Sequence, residues 1–259
     1  MGASALTPGE MAVRCDAVLT ILPTGSIVKQ VLLGDGGVLS HIRAGTLVID
    51  MSSVTPGEAR ECGAAFSAAG VDYLDAPVSG GEPKAIDGTL AFMVGGSPSA
   101  FSGAKPLFDS MGASAVLVGE TGAGCVAKLA NQIIVNLTIA AVSEALTLAA
   151  KAGVDPERVY RSIRGGLAGS VVLDAKAPMM LARDFKPGGK ISINKKDIGN
   201  VMQTAHEVDM PLPLTAQLLE IMTALKNTGH LDDDHGCIVQ YYERLAGVEV
   251  RPHQCPAQP

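Results

Sequence analysis

Five short apolar runs separated by helical segments fill the first 119 residues, and this alternation limits the possible folds more than any other feature. The runs cover residues 17–22, 46–51, 71–78, 90–96 and 115–119. Residues 26–40 and 56–69 have helical patterns, and Pro56 followed by Glu58 suits a first helical turn, where proline costs no hydrogen bond and an acid favours the helix dipole. Short strands alternating with helices predict an α/β sheet with crossover helices.

The strand pattern stops near residue 122, where the glycine-rich segment 119–124 would let the chain turn sharply. Apolar residues then recur at helical spacing through Gly153. Further helical segments begin near Asp155, Ser170, Lys196, Pro213 and Asp234. We therefore predict an α/β domain over residues 1–121, an all-α domain over 122–250 and a flexible tail over 251–259, where prolines and polar residues give little to bury.

The composition excludes several classes of partner and compartment. A net charge of -6 and only 3% aromatic residues, with no tryptophan, argue against nucleic acid. Five scattered cysteines with neither a CxxC pair nor zinc-type spacing favour a reducing, cytoplasmic setting, as does an N-terminus without signal-peptide features. The apolar region 132–150 predicts a buried helix and no membrane span, because Asn136, Ser143 and Glu144 interrupt it.

The segment GAGCVAKLANQ, at 122–132, places Lys128 and Asn131 three residues apart, and hence on one face of the predicted helix. A solvated lysine beside an asparagine near a helix start would give the same spacing. The surrounding helix is almost wholly apolar, however, and a desolvated lysine there can change its pKa and donate a proton. The context favours a functional lysine.

Residues at three predicted strand ends form a second group of candidates. DAPVSGG, at 75–81, follows a strand and ends in glycines whose N–H groups, with the Ser79 hydroxyl, would suit a carboxylate; an ordinary turn is the alternative. Pro23, Ser52 and Ser53 follow two other strands, at the sheet edge where ligands collect in α/β folds. On their own they are simply strand exits.

Two charged clusters in the second half of the sequence, and the absence of one glycine motif, also bear on function. Lys195, Lys196 and Asp197 have the pattern of a solvated charge cluster. HLDDDH, at 230–235, favours a helix N-terminus capped by aspartates over a metal site, so we expect no metal. G-x-G-x-x-G does not occur in these 259 residues, and we interpret the α/β domain as N-terminally incomplete.

Taken together, the motifs resemble those of the β-hydroxyacid dehydrogenases, which include 3-hydroxyisobutyrate dehydrogenase and, more distantly, 6-phosphogluconate dehydrogenase. The resemblance runs from about residue 2 to 250. It is carried by VIDMSS, DAPVSGGEPKAIDGTLAFMVGG, GAGCVAKLANQ, RGGLAGSVVLDAKAP, DFKPG, KKDIGN, PLPLTAQ and DHGCIVQYYERL. It implies a Rossmann-like domain followed by an all-α domain, with the substrate site between them.

The resemblance also implies the roles of individual residues. Lys128 would be the catalytic acid/base. Substrate would be bound by Ser79, Gly80, Gly81 and Asn131, and cofactor by Leu22, Pro23, Ser53 and Lys196. The implied cofactor is NAD or NADP, the substrate a small 3-hydroxyacid or semialdehyde, and the enzyme a cytoplasmic homo-oligomer.

The implied reaction is reduction of tartronate semialdehyde to glycerate. 3-Hydroxyisobutyrate, succinic semialdehyde and glyoxylate are the other substrates that we consider within the enzyme class. The competing hypothesis is a noncatalytic remnant that acts at most as an assembly module.

Overall fold

The computed structural model describes residues 4–253, and residues 254–259 of the predicted tail lie outside that range. Contacts divide the chain into two compact units. The first runs to Ala130 and includes residues 206–208; the second comprises residues 131–205 and those from Asp209 onward.

The first unit contains a six-stranded mixed sheet. Its strands are β1 (Ala17–Thr20), β2 (Leu47–Asp50), β3 (Asp72–Asp75), β4 (Val78–Ser79), β5 (Leu90–Gly95) and β6 (Gly112–Gly119). β1, β2 and β3 are parallel neighbours, whereas β5 is antiparallel to β3 and β4 and parallel to β6. All five predicted strand runs are therefore strands, and the predicted α/β class is confirmed.

The run at 71–78 differs from its prediction because it forms two strands. β3 ends at Asp75, and Val78–Ser79 pairs with Ala91–Phe92 of β5 as β4. Pro77 lies at this break and has no N–H to donate to a ladder. The break brings the glycine turn directly after β4, at the edge of the sheet.

Five helices accompany this sheet, and threonine or serine caps most of them. They are α1 (Pro8–Arg14), α2 (Gly25–Leu33), α3 (Pro56–Ala68), α4 (Gly81–Ile86) and α5 (Pro98–Met111). α3 begins at Pro56, as predicted, with a capping box in which Thr55 and Glu58 satisfy each other's backbone N–H groups. Two apolar clusters form the core, one containing Val48 and Phe66, the other Ile49 and Phe92.

The long helix α6 (Ala123–Lys151) contains the boundary between the units, after Ala130. The second unit continues with α7 (Pro156–Ile163), α8 (Val171–Ala182), α9 (Ile191–Glu207), α10 (Pro213–Asn227), a 3₁₀ helix (His235–Ile238) and α11 (Val239–Ala246). Ile139, Leu146, Met180, Ile198 and Met222 are buried there. α9 begins at Ile191, five residues before the predicted start, and apart from that the predicted run of helices is present.

By length and composition alone, α6 is apolar enough to span a bilayer, although 44% of its most apolar window is buried within the structure. Two of its polar residues, Asn136 and Ser143, are completely buried and donate to helix carbonyls. Their burial on the packed face supports the prediction of a core helix.

Candidate functional site

Three polar residues stand in register at the carboxyl ends of the parallel strands. Thr20 of β1 pairs with Asp50 of β2, and Asp50 pairs with Asp75 of β3. Residues paired across parallel strands project from the same face of a sheet. Both carboxylates are completely buried, so each needs partners to offset the cost of burial.

Asp50 connects the ends of β1 and β2. Its Oδ1 accepts hydrogen bonds from Thr20 Oγ1 at 2.8 Å and from the Ser52 backbone N–H at 3.1 Å. Ser52 Oγ in turn accepts from the Leu22 N–H at 2.8 Å. Burial raises the pKa of Asp50, and the hydrogen bonds from Ser52 and Thr20 oppose that shift. This network sets the backbone beside the predicted cofactor residues Leu22, Pro23 and Ser53.

Asp75 connects β3 to the start of α6. One carboxylate oxygen accepts from the Gly122 N–H at 2.7 Å, and the other accepts from the Cys125 N–H at 2.8 Å. Burial raises the pKa of Asp75, while these two backbone donors favour the charged form. The carboxylate thus satisfies N–H groups that the first turn of a helix leaves without helical partners.

Gly124 permits this close approach between α6 and the strands. A Cβ atom at this position would lie 2.5 Å from the Asp75 carbonyl oxygen and would also collide with the Met93 carbonyl. Only glycine fits without a backbone shift. Gly124, the last residue of the GAG in the sequence motif, therefore brings the helix start against β3 and β5, four residues before half-buried Lys128.

The predicted carboxylate turn follows β4. Half-buried Ser79 is the last residue of that strand, and exposed Gly80 and Gly81 have φ values of +135° and +67°. Those values favour glycine, and a Cβ on Gly80 would lie 2.5 Å from the Lys84 Cβ. The residues predicted from the sequence to bind a carboxylate thus form a turn at the edge of the sheet, and this turn depends on glycine.

In the second unit, two hydrogen bonds and an ion pair connect the predicted substrate residue Asn131 with the predicted cofactor residue Lys196. Asn131 Nδ2 donates to Gln132 Oε1 at 3.0 Å, and Gln132 Nε2 donates to Asp197 Oδ2 at 2.6 Å. Lys196 Nζ lies 2.9 Å from Asp197 Oδ1. Gln132 and Asp197 are buried, so the predicted solvated cluster at 195–197 is only partly solvated.

The HLDDDH segment is mainly structural. Asp234 caps the 3₁₀ helix through the Gly236 N–H, and it also accepts from Lys176 Nζ and from the N–H groups of Gly188 and Gly189. Burial works to raise the pKa of Asp234, but the hydrogen bonds from Lys176 and Gly236 hold it below its usual value. Of the predicted caps, Asp234 takes this role, whereas Asp232 pairs with Lys190.

A different trio in that segment, His230, Asp233 and Cys237, has donor atoms within 4.8 Å of one another. Arg244 donates to His230 Nε2 at 2.8 Å, which leaves the ring proton on Nδ1, directed at Asp233 Oδ2 at 2.7 Å. A metal ion on Nδ1 would have to displace that proton and lie near a guanidinium. Asp233 and His230 therefore form a hydrogen-bonded link between the loop and Arg244 of α11.

His235 makes stability depend on pH. Burial, and next the charge of Lys176, lowers its pKa from 6.5 to about 4, and Nδ1 lies 3.1 Å from Asn136 Oδ1. The unfolded chain therefore takes up a proton before the folded one does. Stability is fully present above about pH 6.5 and falls as the pH drops towards about 4, by about 3 kcal/mol in total.

We expect His235→Asn, which retains a donor to Asn136, to remove this loss of stability. Urea unfolding at pH 7.5 and pH 5 measures the difference, with His206→Asn on an exposed position as the control. An unchanged difference in the His235 variant would contradict the assignment.

The sequence did not predict the structural role of the buried polar residues that hold the predicted site residues in place: Asp50, Asp75, Gln132 and Asp197. One signal was present, because the apolar runs of β2 and β3 each end in aspartate. An acid at a buried strand end needs a partner, but its identity depends on segments far away in sequence.

Comparison with known proteins supplies the class. Residues 2–119 match the NAD binding domain of 6-phosphogluconate dehydrogenase, and residues 122–242 match the NAD-binding model of NADP-dependent 3-hydroxyisobutyrate dehydrogenase. The protein is therefore an oxidoreductase-type, dinucleotide-binding protein with a Rossmann-like domain followed by a helical domain, and its cofactor class is NAD or NADP.

Individual relatives narrow the class to a family. The chain is 40% identical to the 2-hydroxy-3-oxopropionate reductase of Escherichia coli K12, over 94% of this chain and 84% of that one. It is 35% identical to the 2-(hydroxymethyl)glutarate dehydrogenase of Eubacterium barkeri, over 93% and 80%. A crystal structure of 3-hydroxyisobutyrate dehydrogenase from Salmonella typhimurium is 31% identical, with a TM-score of 0.81 over 90% and 82%. The chain belongs to the 3-hydroxyisobutyrate dehydrogenase family of β-hydroxyacid dehydrogenases.

Proposed function

We propose that this protein reduces tartronate semialdehyde to glycerate with NADH or NADPH, with Lys128 as the general acid. The observation that carries the proposal is the structural link between two motifs. Asp75 opens the segment that leads to the turn at Ser79–Gly81, and its carboxylate holds the first turn of the helix that carries Lys128. The 40% identity to a 2-hydroxy-3-oxopropionate reductase supports the choice of substrate.

Lys128 would supply the proton in the reduction. When bound, the dinucleotide supplies a hydride, which adds to the carbonyl carbon of the aldehyde and leaves negative charge on its oxygen. The Lys128 ammonium stabilises this charge and transfers its proton to the oxygen, so that the aldehyde becomes a primary alcohol. In the reverse direction the neutral amine takes the proton back. No metal is needed for this chemistry.

The turn at Ser79–Gly81 would fix the substrate by its carboxylate. Gly80 and Gly81 leave the backbone accessible, and Ser79 adds a hydroxyl. Anchoring the carboxylate determines which face of the carbonyl receives the hydride, so selectivity comes from position. Asn131 would hold the substrate from α6.

The cofactor would be held at the strand ends. Leu22, Pro23 and Ser53 follow β1 and β2, where open α/β sheets bind dinucleotides, and the Asp50–Ser52 network fixes their backbone. Lys196 would contact the cofactor from α9, held by its ion pair with Asp197. These residues fit part of a dinucleotide, whereas a G-x-G-x-x-G turn for its pyrophosphate is absent from the 259 residues.

We also propose the limits of the domains and the mode of assembly. We place the domain boundary at residues 121/122, N-terminal to the division of the contact units after Ala130, supported by the family matches at 2–119 and 122–242, with the helical domain ending near 250. We propose a cytoplasmic homo-oligomer formed through apolar helices of the second domain, and Ile134 and Leu148 on α6 are 67% and 70% exposed.

Titration of the protein with NADH and with NADPH, followed by fluorescence or calorimetry, distinguishes the hypothesis of an active enzyme from that of a noncatalytic remnant. We expect saturable binding of one of them, followed by turnover that is fastest with tartronate semialdehyde among the aldehydes tested. Faster turnover of succinic semialdehyde, glyoxylate or, in the oxidative direction, 3-hydroxyisobutyrate would assign that compound as the substrate in place of tartronate semialdehyde. A folded chain that binds neither dinucleotide would favour the remnant.

A further inference from the structure

Asp75 joins two segments of the proposed site, although it belongs to neither the lysine motif nor the glycine turn. It is completely buried and lies four residues before Ser79 in the chain, and it binds backbone N–H groups 47 and 50 residues away. Both of its oxygens are used by the helix start, one for Gly122 and one for Cys125. It therefore acts as a two-point clamp on a single helical turn.

The surroundings leave this clamp little freedom. A Cβ on Gly95 would lie 2.5 Å from Asp75 Oδ1, and a Cβ on Gly124 would lie 2.5 Å from the Asp75 carbonyl oxygen. Glycines on both sides thus let β5 and α6 close around the carboxylate. Any change in the side-chain length or hydrogen-bonding of Asp75 would move the helix start.

We propose that Asp75 is the positioning residue for Lys128: it sets the register between the lysine helix and the carboxylate turn, and so the distance between proton donor and carbonyl oxygen. This inference rests on the proposed role of Lys128. Its neighbour in the sheet has another task, because the Asp50 carboxylate accepts hydrogen bonds from Thr20 and Ser52, at the cofactor end of β1 and β2. The two aligned carboxylates therefore divide the positioning of catalytic helix and cofactor.

Asp75→Asn tests this division. An amide has one accepting oxygen, so one of the two N–H groups would face an NH₂ donor in place of an acceptor. Because a displacement of about 1 Å can cost about 10²-fold in rate, we expect kcat to fall about 10²-fold, with an almost unchanged KM for the dinucleotide. Asp50→Asn should do the reverse and mainly raise the dinucleotide KM. Asp72→Asn, exposed at the start of β3, is the matched control without effect.

Hydrogen exchange gives a readout that does not depend on activity. In the wild-type protein we expect the amides of Gly122 and Cys125 to exchange as slowly as those of the β2–β3 ladder. In Asp75→Asn, protection should be lost over residues 122–128 and retained in the strands, whereas Asp50→Asn should leave 122–128 protected.

The experiments distinguish failure of the positioning role of Asp75 from failure of the proposed reductase function. Fast exchange of Gly122 and Cys125 in the wild-type protein, or equal effects of both variants on kcat and on exchange, would overturn the positioning role. If the wild-type chain binds dinucleotide but reduces no semialdehyde, the proposed function fails. Hydrogen exchange then still shows whether Asp75 holds the helix start. Unaltered protection of residues 122–128 in Asp75→Asn would refute the positioning role.

Discussion

Lys128→Ala is expected to lower kcat for semialdehyde reduction by about 10³-fold while dinucleotide binding stays within about twofold of the wild-type value. General acid catalysis contributes typically 10²–10⁴-fold, and alanine removes both the proton and the charge that stabilises the forming alkoxide. Stopped-flow measurement of dinucleotide oxidation gives the rate, and calorimetry gives the affinity.

Lys151→Ala is the matched control, because it removes an exposed lysine from the last turn of the same helix. It should retain full activity. If Lys128→Ala loses less than about tenfold in kcat, another group donates the proton and the assignment is wrong.

Gly80→Ala is expected to weaken substrate binding strongly. An L-residue at φ +135° is strained by about 1–3 kcal/mol, and its Cβ would also lie 2.5 Å from the Lys84 Cβ, so the turn must move. If this energy is lost from carboxylate binding, kcat/KM falls about 10- to 100-fold, mainly through KM. Steady-state kinetics with tartronate semialdehyde measures the change.

Gly88→Ala is the matched control, which separates the effect of backbone strain on stability from an effect on substrate binding. Gly88 also has a positive φ of +66°, but a Cβ there would meet nothing closer than the Ser110 carbonyl at 3.9 Å. Its effect should be confined to stability, measured by urea unfolding. Equal effects of the two variants on KM would remove Ser79–Gly81 from the substrate site.

The strands were predictable because each apolar run is short and is followed by turn or helix-start residues. The helix start at Pro56 was also predictable, since Thr55, Pro56 and Glu58 carry a local capping signal within four residues. β4 was not separable from β3, because the break at Pro77 is visible only once β5 is known to pair with both strands. The strand runs and the helix start at Pro56 follow from residues that are close together in the sequence. β4, in contrast, is defined by its pairing with a strand further along the chain.

The residues of the candidate site also divide into those that local sequence predicts and those that only the fold reveals. Lys128, Ser79 and the glycines could be selected because residue type and spacing are local properties. Asp50 and Asp75 could not, since their hydrogen-bond partners lie 30, 47 and 50 residues away. Glycine at 124 is likewise explained only by carbonyls of β3 and β5. The residues proposed to do chemistry were visible in the sequence, whereas the residues that position them required the fold.

The most direct test of the central claim is a product stoichiometry. The purified chain is mixed with tartronate semialdehyde and the dinucleotide that it binds, and glycerate is quantified by chromatography against the loss of reduced nicotinamide absorbance. The proposal predicts one glycerate for each dinucleotide oxidised, with neither change in Lys128→Ala. Oxidation without glycerate, or glycerate formed equally by the lysine variant, would contradict it.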